Sequence, residues 1–116
     1  IHMETHFREM EISAKNASAV GLVLNEFVTN ALKYAFSDGR SGTVRIELGS
    51  EGESAFLEVA DDGVGLPSSF SVMEQKGTGL KLVQLLAEQL AGRVSSSARE
   101  SGGAAFRLVF PLKEEG

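Results

Sequence analysis

The chain of 116 residues contains 16 acidic and 11 basic residues, so its net charge is −5, and 42% of its residues are hydrophobic. This length and hydrophobic content suit one compact domain with a single core. Because the chain has no cysteine and only two histidines, disulfides, thiol catalysis and a multi-histidine metal site are excluded. No apolar run approaches the roughly 18–20 residues that span a bilayer. The negative charge argues against general nucleic-acid binding.

The N-terminal residues carry little functional signal. Residues 1–3, Ile-His-Met, resemble a cloning-tag remnant, so we assign the domain to residues 4–116. His6 has no helical phosphoacceptor pattern around it, and we interpret it as incidental. We see no signal peptide and expect a cytoplasmic segment without direct membrane contact, in a parent protein that could be anchored elsewhere.

Hydrophobic spacing predicts seven elements and one loop. The first helix has Asn16 or Ser18 as its candidate cap and turn residues at 37–39 as its end. A turn at 49–53 joins the next two strands, and Gly92 closes the second helix. In chain order we predict a strand at Phe7–Ser13, a helix at Ala17–Phe36, strands at Thr43–Leu48 and Ser54–Ala60, a loop at 66–77, a helix at Leu80–Ala91, and strands at Arg93–Arg99 and Ala105–Phe110.

This order of elements predicts the fold class. Two helices interleaved with strand pairs favour an α+β fold of two layers, in which the helices cover one face of a mixed, mostly antiparallel sheet. Neither an internal repeat nor a low-complexity linker divides the chain. We therefore expect one domain.

Residues 25–34 of the first predicted helix carry the first candidate site. Glu26, Asn30 and Lys33 stand at offsets 0, +4 and +7, within roughly 60° of one another on an α-helix. A carboxylate and an amide oxygen can hold a hard divalent cation, and a lysine can hold phosphate. These residues could instead form the solvent face of an amphipathic helix. Asparagine is a poor helix former, which favours a functional role for Asn30.

The second candidate site is the Asp-Gly-rich end of a strand. Asp61 could accept a hydrogen bond from an exocyclic amine such as N6 of adenine, and Gly63 and Gly65 would let a flat base approach the backbone. The same residues could form an ordinary turn.

The third candidate site is a glycine turn that opens a helix. In Gly77-Thr78-Gly79-Leu80 the first helical amides are unpaired donors, and anions dock at such helix ends. An ordinary helix start is the alternative explanation. Neither a P-loop nor a dinucleotide-binding glycine motif occurs in the sequence.

Together, the three motifs resemble in order and spacing those of the GHKL superfamily, which includes DNA gyrase, heat-shock chaperone ATPases, sensor histidine kinases and mismatch-repair proteins. The resemblance runs from the first strand to Pro111. It implies a two-layer α/β sandwich of the GHKL (Bergerat) type that binds ATP with Mg²⁺.

The resemblance also implies residue roles. Asn30 would bind magnesium, and Glu26 stands where the family has a general base or a polar residue that assists magnesium. Lys33 would hold a phosphate, Tyr34 would line the nucleotide, and Asp61 would recognise adenine. Two glycine boxes complete the site. The first maps to Gly63 and Gly65, and the second, beside the phosphates, maps to Gly77, Thr78, Gly79 and Leu80.

Among the superfamily branches, the histidine kinases fit best. Lys33-Tyr34, the Gly-Thr-Gly-Leu-Lys-Leu-Val helix start and the closing residues 102–111 are all kinase-like. The likeness implies transfer of the γ-phosphoryl group of ATP to a histidine on a separate dimerisation domain, with a response regulator downstream. Since dimerisation belongs to that other domain, we expect an isolated monomer.

Two features depart from the kinase pattern. The lid between the glycine boxes is short and has only Phe70 where the kinases have two phenylalanines. Ala104 replaces a threonine that helps to hold water near the adenine, which should weaken binding by about 0.5–1.5 kcal/mol.

Two other functions remain open from the sequence. An anti-sigma factor of the same superfamily, which phosphorylates a serine on an antagonist protein, has about this length. A degenerate domain that serves only as a docking surface is the third possibility, although the motif residues are intact.

Overall fold

The computed structural model describes residues 1–36, 38–65, 78–99 and 102–112. The elements in these ranges are β1 (His2–Phe7), α1 (Ala14–Asn30), a π-helical segment (Ala31–Ala35), β2 (Thr43–Glu51), β3 (Ser54–Asp61), α2 (Thr78–Gln89), β4 (Arg93–Ala98) and β5 (Ala104–Pro111). The strands form one sheet in the order β1-β2-β3-β5-β4, with β1 parallel to β2 and the other neighbours antiparallel. Within the described ranges, no helix is both long and apolar enough to cross a membrane.

The two helices and one face of the sheet enclose the core. Along β3, Leu57 and Val59 are each only 1% exposed, whereas the alternate residue Glu58 is half-buried. Phe27 of α1 is fully buried, and its ring packs against the ring of Phe106 on β5, with 5.6 Å between the ring centroids. Fully burying such a side chain contributes about 1.5–3 kcal/mol. The predicted α+β class with a mixed, mostly antiparallel sheet is confirmed.

The first strand lies upstream of its predicted position, so the prediction at Phe7–Ser13 is wrong except for Phe7. β1 includes residues 2–3, and every residue in it is exposed. Backbone pairing with β2, rather than burial, therefore defines this edge strand. The apolar spacing that suggested a later strand has another cause. Met10 and Ile12 lie outside regular structure and are partly buried against the core.

The ends of α1 also differ from the prediction. Oγ of Ser13, rather than a side chain of Asn16 or Ser18, caps the helix by accepting the N–H of residue 16 at 3.2 Å. Regular α-helix ends at Asn30, and a π-helical segment follows. The prediction of one α-helix through Phe36 is therefore wrong beyond residue 30. Hydrogen bonds in a π-helix span five residues, so each residue turns the chain less.

The first hairpin turn is shorter than the predicted 49–53. Gly52 supplies the turn with a φ of 60°, while Gly49 lies within β2. A Cβ at position 49 would lie 2.8 Å from the ring of Phe56, and the guanidinium carbon of Arg107 lies 4.2 Å from the ring centroid. Gly49 therefore serves packing on the outer face of the sheet.

A Schellman motif ends α2 (Thr78–Gln89), two residues earlier than predicted. Ala91 adopts a left-handed conformation with a φ of 54°, and its N–H donates to the carbonyl of Glu88 at 3.0 Å. The N–H of Gly92 donates to the carbonyl of Ala87 at 2.8 Å, which completes the motif. Glycine is needed at 92 for another reason, since a Cβ there would lie 2.5 Å from the carbonyl oxygen of Val109.

We predict that Ala91→Gly raises the free energy of unfolding by about 0.5–1 kcal/mol, because glycine relieves the left-handed strain but adds unfolded-state entropy. Urea denaturation measures the change. Ala17→Gly, at an exposed position inside α1, is the matched control and should lower the free energy by about 1 kcal/mol. Equal destabilisation by both substitutions would contradict the prediction.

Candidate functional site

The C-terminal half of α1 and its π-helical extension contact both predicted glycine segments. A Cβ built on Gly79, at the start of α2, would meet the carboxylate of Glu26. Farther along, the carbonyl of Ala35 accepts the N–H of Val64 at 2.9 Å. Gly63 packs so closely on Ala35 that a Cβ would overlap its carbonyl. Two glycine motifs that are distant in sequence therefore converge on the helical segment that carries the first motif.

Asn30 lies between these two contacts, one helical turn after Glu26. Its Nδ2 atom is buried and has no hydrogen-bond partner among the described residues. Leaving a buried polar atom unsatisfied costs about 1–3 kcal/mol. Rotation of the terminal side-chain torsion by half a turn exchanges the amide nitrogen and the amide oxygen. Oδ1 can therefore occupy this position instead of Nδ2. The amide is thus suited to receive a ligand.

Lys33 and Tyr34 lie in the π-helical segment. Lys33 is exposed, and the regular α-helical spacing that predicts one stripe with Glu26 does not apply beyond Asn30. The phosphate-binding role of Lys33 remains a prediction. The side chain of Tyr34 lies outside the described part of the structure. Single π-helical turns within α-helices occur frequently at functional sites.

Asp61 is the last residue of β3, and it is buried, with 2% of its surface exposed. Its Oδ1 accepts the N–H of Gly63 at 2.9 Å and the N–H of Ala104 at 3.2 Å. Among the described residues, both hydrogen bonds to this carboxylate are accepted by Oδ1. Oδ2 can therefore accept a hydrogen bond from an amine of a ligand.

Sequence reasoning missed two residues that surround Asp61. Nη1 of Arg99 donates to the main-chain carbonyl of Asp61 at 2.7 Å. Gly103 has a φ of 87°, and a Cβ there would overlap the same carbonyl. The Gly-Gly pair at 102–103 was an available signal for a close backbone approach, but nothing in the sequence pointed to Arg99.

The other predicted glycine-box residues have different outcomes. Gly65 has a φ of 82°, and a Cβ built on it would lie 3.4 Å from the carbonyl oxygen of Gly103. The Leu80 side chain is buried in the core, so its backbone is the part that could contact a ligand. Gly77 and the side chain of Thr78 lie outside the described residues, as does the predicted lid.

A local ion pair lies in the turn after the π-helical segment. Nε of Arg40 donates to both carboxylate oxygens of Asp38, at 3.1 and 2.9 Å. These hydrogen bonds to Arg40 lower the pKa of Asp38 below its ordinary value. Because both side chains are exposed, solvent screens the pair and its contribution to stability is small.

The donor set limits what kind of cation the site could hold. Among the described residues, no cluster of three or more histidine, cysteine, aspartate or glutamate side chains could bind a metal. Glu26 and Asn30 can supply two oxygens, which is the protein contribution typical of Mg²⁺ held together with substrate phosphates. These residues therefore fit a magnesium-nucleotide complex better than an independent metal centre.

The sequence matches, over residues 15–114, the family described as "Histidine kinase-, DNA gyrase B-, and HSP90-like ATPase". The chain belongs to this ATPase family. The expected membership of the GHKL superfamily is thereby confirmed.

Several proteins similar to this ATPase-family chain are sensor or histidine kinases by name. Blue-light-activated histidine kinase 2 of Erythrobacter litoralis (strain HTCC2594) is 29% identical over 107 residues, which cover 91% of this chain and 31% of that protein. Sensor protein kinase PilS of Pseudomonas aeruginosa is 37% identical over 100 residues, covering 76% and 19% of the two chains. The chain therefore spans less than a third of either relative's length.

A solved structure shows the same likeness. The histidine kinase domain of the EL346 blue-light activated histidine kinase from Erythrobacter litoralis has a TM-score of 0.85 and 28% identity, over 96% of this chain and 51% of that chain. The expected likeness to the catalytic domain of sensor histidine kinases is confirmed. The ATPase family, together with these relatives, supports an ATP-binding domain.

We predict that Gly63→Ala lowers the free energy of unfolding by about 1–3 kcal/mol, because the added methyl group must displace the Ala35 carbonyl. Gly21→Ala is the matched control, since a Cβ at this exposed helical position meets nothing within 4 Å. It should raise the free energy of unfolding by about 0.5–1 kcal/mol. Chemical denaturation of both variants tests the packing, and a Gly63→Ala variant as stable as wild type would refute it.

Proposed function

We propose that this chain is the catalytic, ATP-binding domain of a two-component sensor histidine kinase. It would bind Mg-ATP and transfer the γ-phosphoryl group to a histidine on a dimerisation domain outside these residues. The observation that carries the proposal is the buried Nδ2 atom of Asn30, which has no hydrogen-bond partner among the residues that the structure describes and which lies between helical contacts to Gly79 and Gly63. The kinase relatives support the reaction type.

Asp61 would recognise the base. Two backbone amides hold its Oδ1, so Oδ2 is oriented by the protein and can accept the N6 amine of adenine. Because the carboxylate is buried, a base that gives it no hydrogen bond would leave it desolvated without compensation, which costs free energy. A nucleotide without an amine at this position would therefore bind less tightly.

Glu26 and Asn30 would hold the cation at the other end of the site. The carboxylate of Glu26 lies against Gly79 in the first turn of α2, where the helix end favours anions. A triphosphate that docks at the same helix end meets this negative carboxylate. Magnesium, when bound, would offset that repulsion and neutralise charge on the transferring group.

The protein's part in the transfer would be positioning and charge stabilisation. Lys33 would hold a phosphate oxygen, while Asp61 and Asn30 would fix the two ends of the nucleotide. The bond from the γ-phosphorus to the bridging oxygen breaks, a bond from phosphorus to the acceptor histidine nitrogen forms, and ADP leaves. In such transfers catalysis rests almost entirely on alignment and electrostatics.

The wider setting follows from the same proposal. A response regulator would receive the phosphoryl group from the histidine, and residues 66–77 would cover the nucleotide as a short lid. We propose a cytoplasmic location and a monomeric isolated domain that does not bind nucleic acid. The kinase names of the relatives favour this function over the anti-sigma alternative.

We predict that Asp61→Asn lowers ATP affinity at least about tenfold, as expected when one charged hydrogen bond is lost, and removes the preference for ATP over GTP. Asn30→Ala should abolish the magnesium dependence of ATP binding. Isothermal titration calorimetry with and without Mg²⁺ measures both effects. Asp62→Asn is the matched control, because the exposed Asp62 side chain uses Oδ1 to accept the N–H of Thr43 at 2.8 Å, a bond that asparagine keeps. Unchanged affinity in both site variants would reject the assignment.

We predict that the chain labels a dimerisation domain from its parent kinase when supplied with [γ-³²P]ATP and Mg²⁺, giving an acid-labile, alkali-stable phosphohistidine. Glu26→Gln should slow labelling at least about tenfold, whereas Glu88→Gln, on the exposed side of α2, should leave the rate unchanged. Acid-stable phosphoserine on a partner protein, with no phosphohistidine, would favour the anti-sigma alternative instead.

A further inference from the structure

We infer that Arg99 is a positioning residue that fixes Asp61 for recognition of the 6-amino group of the purine. This inference rests on the proposed function, because it assigns a second residue to the same base-recognition site. Arg99 is partly buried, and its Nη1 donates to the main-chain carbonyl of Asp61 at 2.7 Å. A hydrogen bond from a charged donor is stronger than a neutral one.

The sheet geometry explains why this donor is needed. Pairing between β3 and β5 stops at Ala60 opposite Ala105, one residue before Asp61. Beyond that point, Gly103 leaves the extended conformation with a φ of 87°. The carbonyl of Asp61 therefore lies past the end of the β3–β5 ladder, and the Arg99 side chain supplies its donor. A buried carbonyl left without one would be costly.

Arg99 is itself anchored by the hairpin between β4 and β5. Its N–H donates to the carbonyl of Gly103 at 3.1 Å, and its carbonyl accepts the N–H of Gly102 at 3.0 Å. Gly103 in turn lies directly against Asp61, where any side chain would overlap the carbonyl. The backbone that carries the guanidinium is thus tied to the backbone that it orients.

The choice of the carbonyl as acceptor leaves the carboxylate available. Among the described residues, the ion pairs do not include one between Arg99 and Asp61. A guanidinium paired with the carboxylate would occupy Oδ2 and compete with an amine ligand. Instead, Arg99 holds the main chain while the amides of Gly63 and Ala104 hold Oδ1. Three donors from three segments therefore orient one oxygen toward a ligand.

The test compares the affinities of Mg-ADP and Mg-IDP, which differ in the 6-amino group. Arg99→Met should weaken ADP binding about three- to tenfold, the usual worth of one hydrogen bond, and change IDP binding less than about twofold. The ADP preference should therefore fall. Arg99→Lys, which keeps a charged donor, should restore most of the preference. Arg93→Met, at an exposed position on β4, the strand that directly precedes Arg99, is the matched control and should match wild type.

The possible outcomes separate the two claims. An unchanged ratio of ADP to IDP affinity in Arg99→Met, or an equal loss for both nucleotides, overturns the positioning role. If the methionine variant does not fold, Arg99→Gln, which is shorter and uncharged, provides the same comparison. A wild-type chain with no preference for ADP, and no effect of Asp61→Asn, would instead show that the proposed function fails.

Discussion

Burial of a carboxylate at the end of β3 is the constraint on which the site depends. Asp61 lies almost entirely out of solvent, where a charged group is costly unless donors surround it. The protein provides those donors from the backbone of Gly63 and Ala104 and from the side chain of Arg99. Satisfying Asp61 therefore determines how the loop after β3 and the hairpin before β5 approach each other.

The glycines near Asp61 follow from this crowding. Gly63 lies against Ala35, and Gly103 lies against Asp61, each too closely for a side chain. Gly63 was expected from the sequence to lie near a ligand, whereas Gly103 was not singled out, and the structure places both of them in close packing between backbone segments. The glycine motif is thus a requirement of the protein's own geometry, apart from any ligand.

Unusual features cluster on the same side of the fold. The change from α- to π-helix follows Asn30 directly, and the side-chain Nδ2 of that residue is buried without a partner in the described structure. Elsewhere, the interior of the helices and β3 follows ordinary apolar packing, as with Phe27 and Leu57. Departures from local rules that concentrate in one place are typical of functional sites, because there the protein's own stability is not the only requirement.

The sequence by itself determined the α+β class, the order of elements, and the two motifs that contain Glu26, Asn30 and Asp61, because helical and strand periodicity and turn residues are local signals. Only the tertiary structure decided the position of β1, the π-helical turn and the contact of Arg99 with the carbonyl of Asp61. Each of these depends on a partner distant in the chain or on a hydrogen-bond pattern that apolar spacing does not encode. An exposed edge strand has no buried face to mark it, and a side chain that reaches a carbonyl 38 residues away has no local signature.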